Sequence, residues 1–143
     1  MNLVWYEEAH LRGQDEVVLL NERGEVSECT SANIFTTIGD EVYTPPLRCG
    51  CLPGVTRELL LEVVRAPGVT VSERVLTLED LERADSVFIT STTRDLLPVQ
   101  SVEGLAIRSE PGARDKLATA FAAYERDYVQ QAATRGRSQP ASR

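Results

Sequence analysis

Glu28 opens the run ECTSANIF at residues 28–35, a carboxylate followed by small neutral residues, then Asn33 and two large apolar side chains. A carboxylate amid so little polarity finds a cation or a hydrogen-bond donor, or else lies at the surface. Side chains alternate along a strand, so Glu28 is expected to share a face with Val26 rather than with Glu25. If that face is inward, the acid needs a cationic partner. If it is not, Glu28 is an exposed strand-end carboxylate, and this stretch alone leaves both open. A second candidate is CLPGVTREL at 51–59. Gly54 lets the backbone approach closely, and the N–H groups of Val55 and Thr56 fall in the first turn of an expected helix. Unpaired donors and the helix dipole suit an anion there, and the Thr56 hydroxyl adds a donor. The plainer alternative is a helix that starts with Gly and Thr and holds nothing. A third candidate is TSTTRD at 90–95, which follows an apolar strand, where ligand-facing loops of α/β proteins lie; an ordinary Ser/Thr-rich turn reads the same. One arrangement would use all three: a phosphate received by residues 54–56 and Thr92, with an aromatic cation faced by Glu28.

These groups need a scaffold, and the apolar pattern supplies one. A helix is expected over 3–12 with Gly13 as its stop, then a hairpin of strands 16–21 and 25–28 turning at Gly24. Strands NIFTT and EVYT follow, joined through IGD. After the irregular loop TPPLRCGCLPG, a helix is expected over 54–66, with Val55, Leu59, Leu60, Val63 and Val64 as its apolar stripe. A strand near VTVSERV, a short helix LEDLERA capped by Thr77, and the buried strand SVFIT come next. LLPVQSV reads as a strand entered through Pro98. A terminal helix over 113–131 places Leu117, Phe121, Tyr124 and Tyr128 on one face. Residues 132–143 have the composition of a disordered tail.

At 143 residues, the chain suits one domain able to bury roughly two thirds of its unfolded surface. Hydrophobic residues at 42% and charged ones at 26% are ordinary for a globular protein, and no apolar run is long enough to span a bilayer. The first ten residues lack the basic start and apolar stretch of a secretory signal, so a cytoplasmic location is expected. A net charge of −7 disfavours a nucleic-acid partner, while a small anion received by backbone donors is still allowed. Cys29, Cys49 and Cys51 form an odd set, read as free thiols. Only His10 could join them at a metal, too few ligands for a closed site, and no metal is expected.

The run from Glu28 to Arg57 resembles the signature of the class IV aminotransferases, the fold-type IV pyridoxal-phosphate enzymes. In that signature a Glu lies five positions before an Asn, an apolar residue and an aromatic, here Glu28, Asn33, Ile34 and Phe35. An apolar-x-Thr follows, here Val42, Tyr43 and Thr44. Then comes apolar-x-Gly-apolar-x-basic, here Leu52, Pro53, Gly54, Val55, Thr56 and Arg57. STTRDLLPV is similar to the family's phosphate-loop and strand segment. The resemblance implies an α+β fold with a mixed, partly barrel-like sheet flanked by helices. It makes residues 1–131 the large, C-terminal domain, with the small N-terminal domain absent. It implies that pyridoxal 5′-phosphate is bound through Glu28 at the ring nitrogen, Leu52 on the ring, and Gly54, Val55, Thr56 and Thr92 at the phosphate. Thr93 would offer donors to the substrate carboxylate, and Asn33, Phe35 and Arg57 read as scaffold. Amino-acid and 2-oxo-acid substrates and a homodimer are implied as well.

The lysine that such enzymes need for covalent cofactor attachment is expected a few residues before Met1. The one lysine in the sequence, Lys116, reads as a solvated helix residue, so no catalytic residue is assigned within the chain. The STT of 91–93 resembles D-amino-acid aminotransferases, TSANIF branched-chain aminotransferases, and SEC aminodeoxychorismate lyases. Three readings follow: part of an aminotransferase, part of a lyase of that type, or a non-catalytic remnant that binds cofactor or a partner.

Overall fold

The computed structural model describes residues 10–93 and 95–138 of the chain. Most of the expected first helix, residues 3–9, lies outside them, as do Arg94 and the last five positions of the expected tail. Strands β1 (Val18–Leu20) and β2 (Val26–Cys29) form an antiparallel ribbon that turns at Gly24, whose φ of +75° suits a residue without Cβ. Strands β3 (Asn33–Ile38), β4 (Glu41–Thr44), β5 (Thr70–Glu73), β6 (Ser86–Thr90) and β7 (Leu97–Pro98) form a five-stranded sheet in the order β5-β4-β3-β6-β7. Its β4–β5 pair is parallel and the others antiparallel, so the sheet is mixed and the fold α+β.

Both faces of this sheet are covered, which is why β6 is buried at every position and reads as a continuous apolar run. On one face Phe35, Val42 and Phe88 pack against helices α1 (Val55–Glu62) and α3 (Ala113–Ser138) through Leu60, Leu117 and Phe121. Phe35 and Phe88 are directly paired across β3 and β6, and their rings stack with centroids 4.9 Å apart. On the other face Ile34, Val87 and Ile89 meet Val26 and Cys29 of the ribbon and Leu81 of helix α2 (Leu78–Arg83). Thr77 caps α2 in a capping box with Asp80, as its sequence position implies.

The expected strand LLPVQSV is reduced to Leu97–Pro98, the hairpin strands of 16–21 and 25–28 are Val18–Leu20 and Val26–Cys29, and two helices end elsewhere than the sequence reading has them. Helix α1 ends at Glu62 rather than 66: the Val63-Val64 pair is β-branched, and Pro67 disfavours helical backbone at Ala66. Helix α3 continues to Ser138, so residues 132–138 are helical where a disordered tail was expected from 132. Ala, Gln and Arg are good helix formers, and the helix propagates through them without burial. The α3 stripe is buried only in part. Leu117 and Phe121 are in the core, whereas Tyr128 is 65% exposed and stacks on Tyr124 instead. No helix among the described residues is long and apolar enough to cross a membrane.

Candidate functional site

Glu28 owes its direction to a break in the ladder. β1 and β2 pair Leu19 with Glu28 but Leu20 with Val26, leaving Ser27 as an extra residue, a β-bulge. Val26 and Cys29 therefore both enter the core beneath the sheet, while Glu28 does not share the face of Val26. The expectation from strict alternation fails because the bulge resets the two-residue period. Ser27 and Glu28 turn instead toward the loop after β4. The Ser27 hydroxyl lies beside Gly50, where an added Cβ would stand 3.3 Å from it. The partner of half-buried Glu28 is a donor, not a cation: the Leu52 N–H donates to its Oε2 at 2.9 Å.

Leu52 is held from its other side as well, since Asn33 Nδ2 donates to the Leu52 carbonyl at 2.9 Å. Asn33 also explains Gly54. The backbone there, φ −60° and ψ 146°, is open to any residue, but a Cβ would stand 2.3 Å from Asn33 Oδ1. Glycine is required for close approach and not for its freedom of φ. Gly54 then begins α1 without a side-chain cap, so the first-turn N–H groups of Val55 and Thr56 have no intrahelical partner. Thr56 is buried, whereas Leu52 and Val55 are each 65% exposed beside the acid and the helix start.

The third candidate reaches the same end of the sheet through strand pairing. Asn33 lies opposite Thr90, the last residue of β6, and residues 91–93 leave from there with Thr92 and Thr93 exposed. The hydroxyl of Thr90, the residue paired with Asn33, is buried and has no hydrogen-bond partner among the described residues. Arg57 belongs beneath the site, as a scaffold residue. It is 1% exposed, donates to the Pro45 carbonyl at 3.0 Å, and is paired with Glu58 and Glu73. Its charge is thus committed to these two carboxylates.

A further cluster had no sequence signal. Cys49 Sγ donates to Glu25 Oε2 at 3.2 Å, Asn21 Nδ2 donates to the same oxygen at 2.9 Å, and Arg23 pairs with Glu25 at 3.1 Å. These bonds tie the hairpin to the loop that carries Leu52, but Glu25 and Cys49 are 24 residues apart and none of the partners belongs to a recognisable spacing. Hydrogen bonds from Arg23, then Asn21 and Cys49, hold the Glu25 carboxyl down at about 2, while burial, with Glu25 next, pushes the Cys49 thiol up. A carboxyl lowered by folding stabilises above its unfolded value of 4.5 and loses that contribution as pH falls toward 2. The Tm difference between wild type and Glu25→Gln should therefore be constant above 4.5 and shrink below it; a difference independent of pH would contradict this account. All three cysteines are buried, and the described residues hold no cluster able to ligate a metal.

An acid and an uncapped helix start thus lie on either side of one pinned loop. The family model "Amino-transferase class IV" matches residues 1–102. The chain belongs to this family. The branched-chain-amino-acid aminotransferase of Salmonella typhimurium is 35% identical over 100 residues, covering 70% of this chain and 32% of its own length. The D-alanine aminotransferase of Bacillus licheniformis is 37% identical over 94 residues, covering 66% of this chain and 33% of its own length. Among solved structures, an aminotransferase from Brucella abortus bound to the co-factor PLP superposes with a TM-score of 0.72. The two are 25% identical, and the match covers 82% of this chain and 42% of that one. This class IV chain thus spans about a third of the length of the curated relatives it matches.

Lys116 takes no part in the site. Its Nζ pairs with Asp40 at 2.9 Å, just past the end of β3, while Asn33 begins β3 at the other end. Six strand residues separate the two ends, on the order of 17 Å at ~3.3 Å per residue. The chemistry of the residues present fits the family's cofactor: a carboxylate at Glu28, an exposed apolar Leu52 bonded to it through its N–H, and the unpaired first-turn N–H groups of α1, which suit a phosphate.

Proposed function

We propose that the chain is the cofactor-holding part of a pyridoxal-phosphate-dependent aminotransferase, which moves an amino group between an amino acid and a 2-oxo acid. The observation that carries this reading is the double pinning of Leu52, by Glu28 at its N–H and by Asn33 at its carbonyl, next to the glycine that starts α1. When bound, pyridoxal phosphate supplies a protonated pyridine ring that accepts the electron pair left as the substrate Cα–H bond breaks. Glu28 keeps the ring nitrogen protonated, because an adjacent carboxylate favours the charged form. Leu52 packs on the ring with its exposed side chain. The phosphate is received by the N–H groups of Val55 and Thr56, which Gly54 brings close, and by the hydroxyls of Thr56 and Thr92. Backbone N–H at Thr93 orients the substrate carboxylate. None of this needs a free cation, which suits a chain of net charge −7.

In the same reading, the lysine that joins the cofactor and moves the proton lies outside these 143 residues. The complete protein is a homodimer in the cytoplasm, and this chain by itself turns over no amino donor. The test is transamination by the complete protein. Glu28→Gln should lower turnover, about tenfold for every unit by which the ring nitrogen's pKa falls below the working pH. Near-wild-type turnover in that variant removes the role of Glu28.

A further inference from the structure

Glu16 lies two residues ahead of β1 and has no role in the site assigned above. Its carboxylate holds the turn between β2 and β3. Oε2 accepts from the Thr30 hydroxyl and from the Ser31 N–H, the latter at 3.2 Å, and Oε1 accepts from the Ser31 hydroxyl. Thr30 is buried, so its hydroxyl must find an acceptor or cost stability. The turn is closed by backbone as well: Thr30 N–H donates to Val17 O at 3.1 Å and Cys29 N–H to Ala32 O at 2.8 Å.

The position of this turn gives the contact a consequence for the site. Glu28 lies two residues before Thr30, and Asn33 two residues after Ser31, so the side chains that pin Leu52 leave from the two ends of one short turn. Glu28 is paired with Leu19, but upstream of it the ladder is interrupted at Ser27, so the backbone of Glu28 is held in regular pairing only from the Cys29 side, the side of the turn. Downstream, the Glu16 carboxylate anchors the turn at Thr30 and Ser31.

The geometry points to Glu16 as a positioning residue for Glu28: by holding Thr30 and Ser31 it keeps the Glu28 carboxylate on the Leu52 N–H. This rests on the reading that Glu28 works at the site, but the contact itself is measurable without any cofactor.

The experiment is amide hydrogen exchange on the full chain for wild type, Glu16→Ala, Glu28→Gln and the double variant, following the amides of Leu52 and of Leu60, which is fully buried in α1. Losing a hydrogen bond to a charged acceptor should speed exchange at Leu52 about tenfold in Glu16→Ala. Leu60 should not change, and the double variant should exchange at Leu52 no faster than Glu28→Gln alone. A merely structural role would speed Leu52 and Leu60 together, and that outcome overturns the proposal. So does an unchanged Leu52 in Glu16→Ala, or a double variant in which the two effects add. Should Glu16→Ala fail to fold, Ser31→Ala removes the hydroxyl contact alone, and a smaller change confined to Leu52 is required of it. Failure of the cofactor reading would appear in turnover of the complete protein and leave the exchange result standing, so the two are told apart.

Discussion

Replacing Glu58 and Glu73 together by Ala is expected to cost the fold about 3–5 kcal/mol, although Glu58 is only half-buried and Glu73 is exposed. The charge left behind decides the size. Arg57 is 1% exposed, and without the two acids it keeps one acceptor, the Pro45 carbonyl at 3.0 Å, while its Nε already has no partner. A buried guanidinium without a counter-charge carries most of its desolvation penalty. The reverse change, Arg57→Met, leaves two carboxylates that water can reach and fills much the same volume, so it should cost less, about 1–2 kcal/mol. Urea unfolding of both variants measures the order. If Arg57→Met proves the more damaging, the buried charge is not what these acids serve. Arg57 is the third residue of α1, and through Pro45 and Glu73 it fixes the start of the helix against β4 and β5.

Gly54→Ala is expected to cost about 3 kcal/mol, the upper end for overpacking a tight site, and to displace the loop from Glu28. The backbone angles at Gly54 would accept alanine, so the cost is steric: the new Cβ meets Asn33 Oδ1 at 2.3 Å. This makes the effect separable by a double-mutant cycle. Asn33→Ala alone loses the bond to the Leu52 carbonyl, but in the Gly54→Ala background it also removes the clash. The double variant should be less destabilised than the sum of the singles by at least about 1 kcal/mol. Additive losses would show that Gly54 is needed for some reason other than its approach to Asn33.

What the sequence disclosed, and what it hid, follows from the range of the interactions. Strands and helices with a clear apolar period were legible, and so was the Thr77 cap, because each depends on neighbours within a few residues. The motif residues were legible too, since Glu28, Asn33 and Gly54 keep a fixed spacing. The aim of Glu28 was not, because a single extra residue at Ser27 reverses the alternation and leaves no mark in residue type. The reason for Gly54 was hidden as well, because Asn33 is distant in sequence and meets it only after folding. Glu16 and Glu25 escaped for the same reason: their partners at Thr30, Ser31 and Cys49 are brought to them by the hairpin. The length of α3 was missed because residues past 131 have no apolar stripe to signal a helix that stands in solvent.

The central claim is that one pinned loop sets an acid at the ring nitrogen and a helix start at the phosphate of the same cofactor. The nitrogen-15 chemical shift of ring-labelled pyridoxal phosphate, bound to the complete protein at neutral pH, tests it most directly. The account predicts a protonated ring nitrogen in the wild type and an unprotonated one in Glu28→Gln. The same protonation state in both proteins would contradict it.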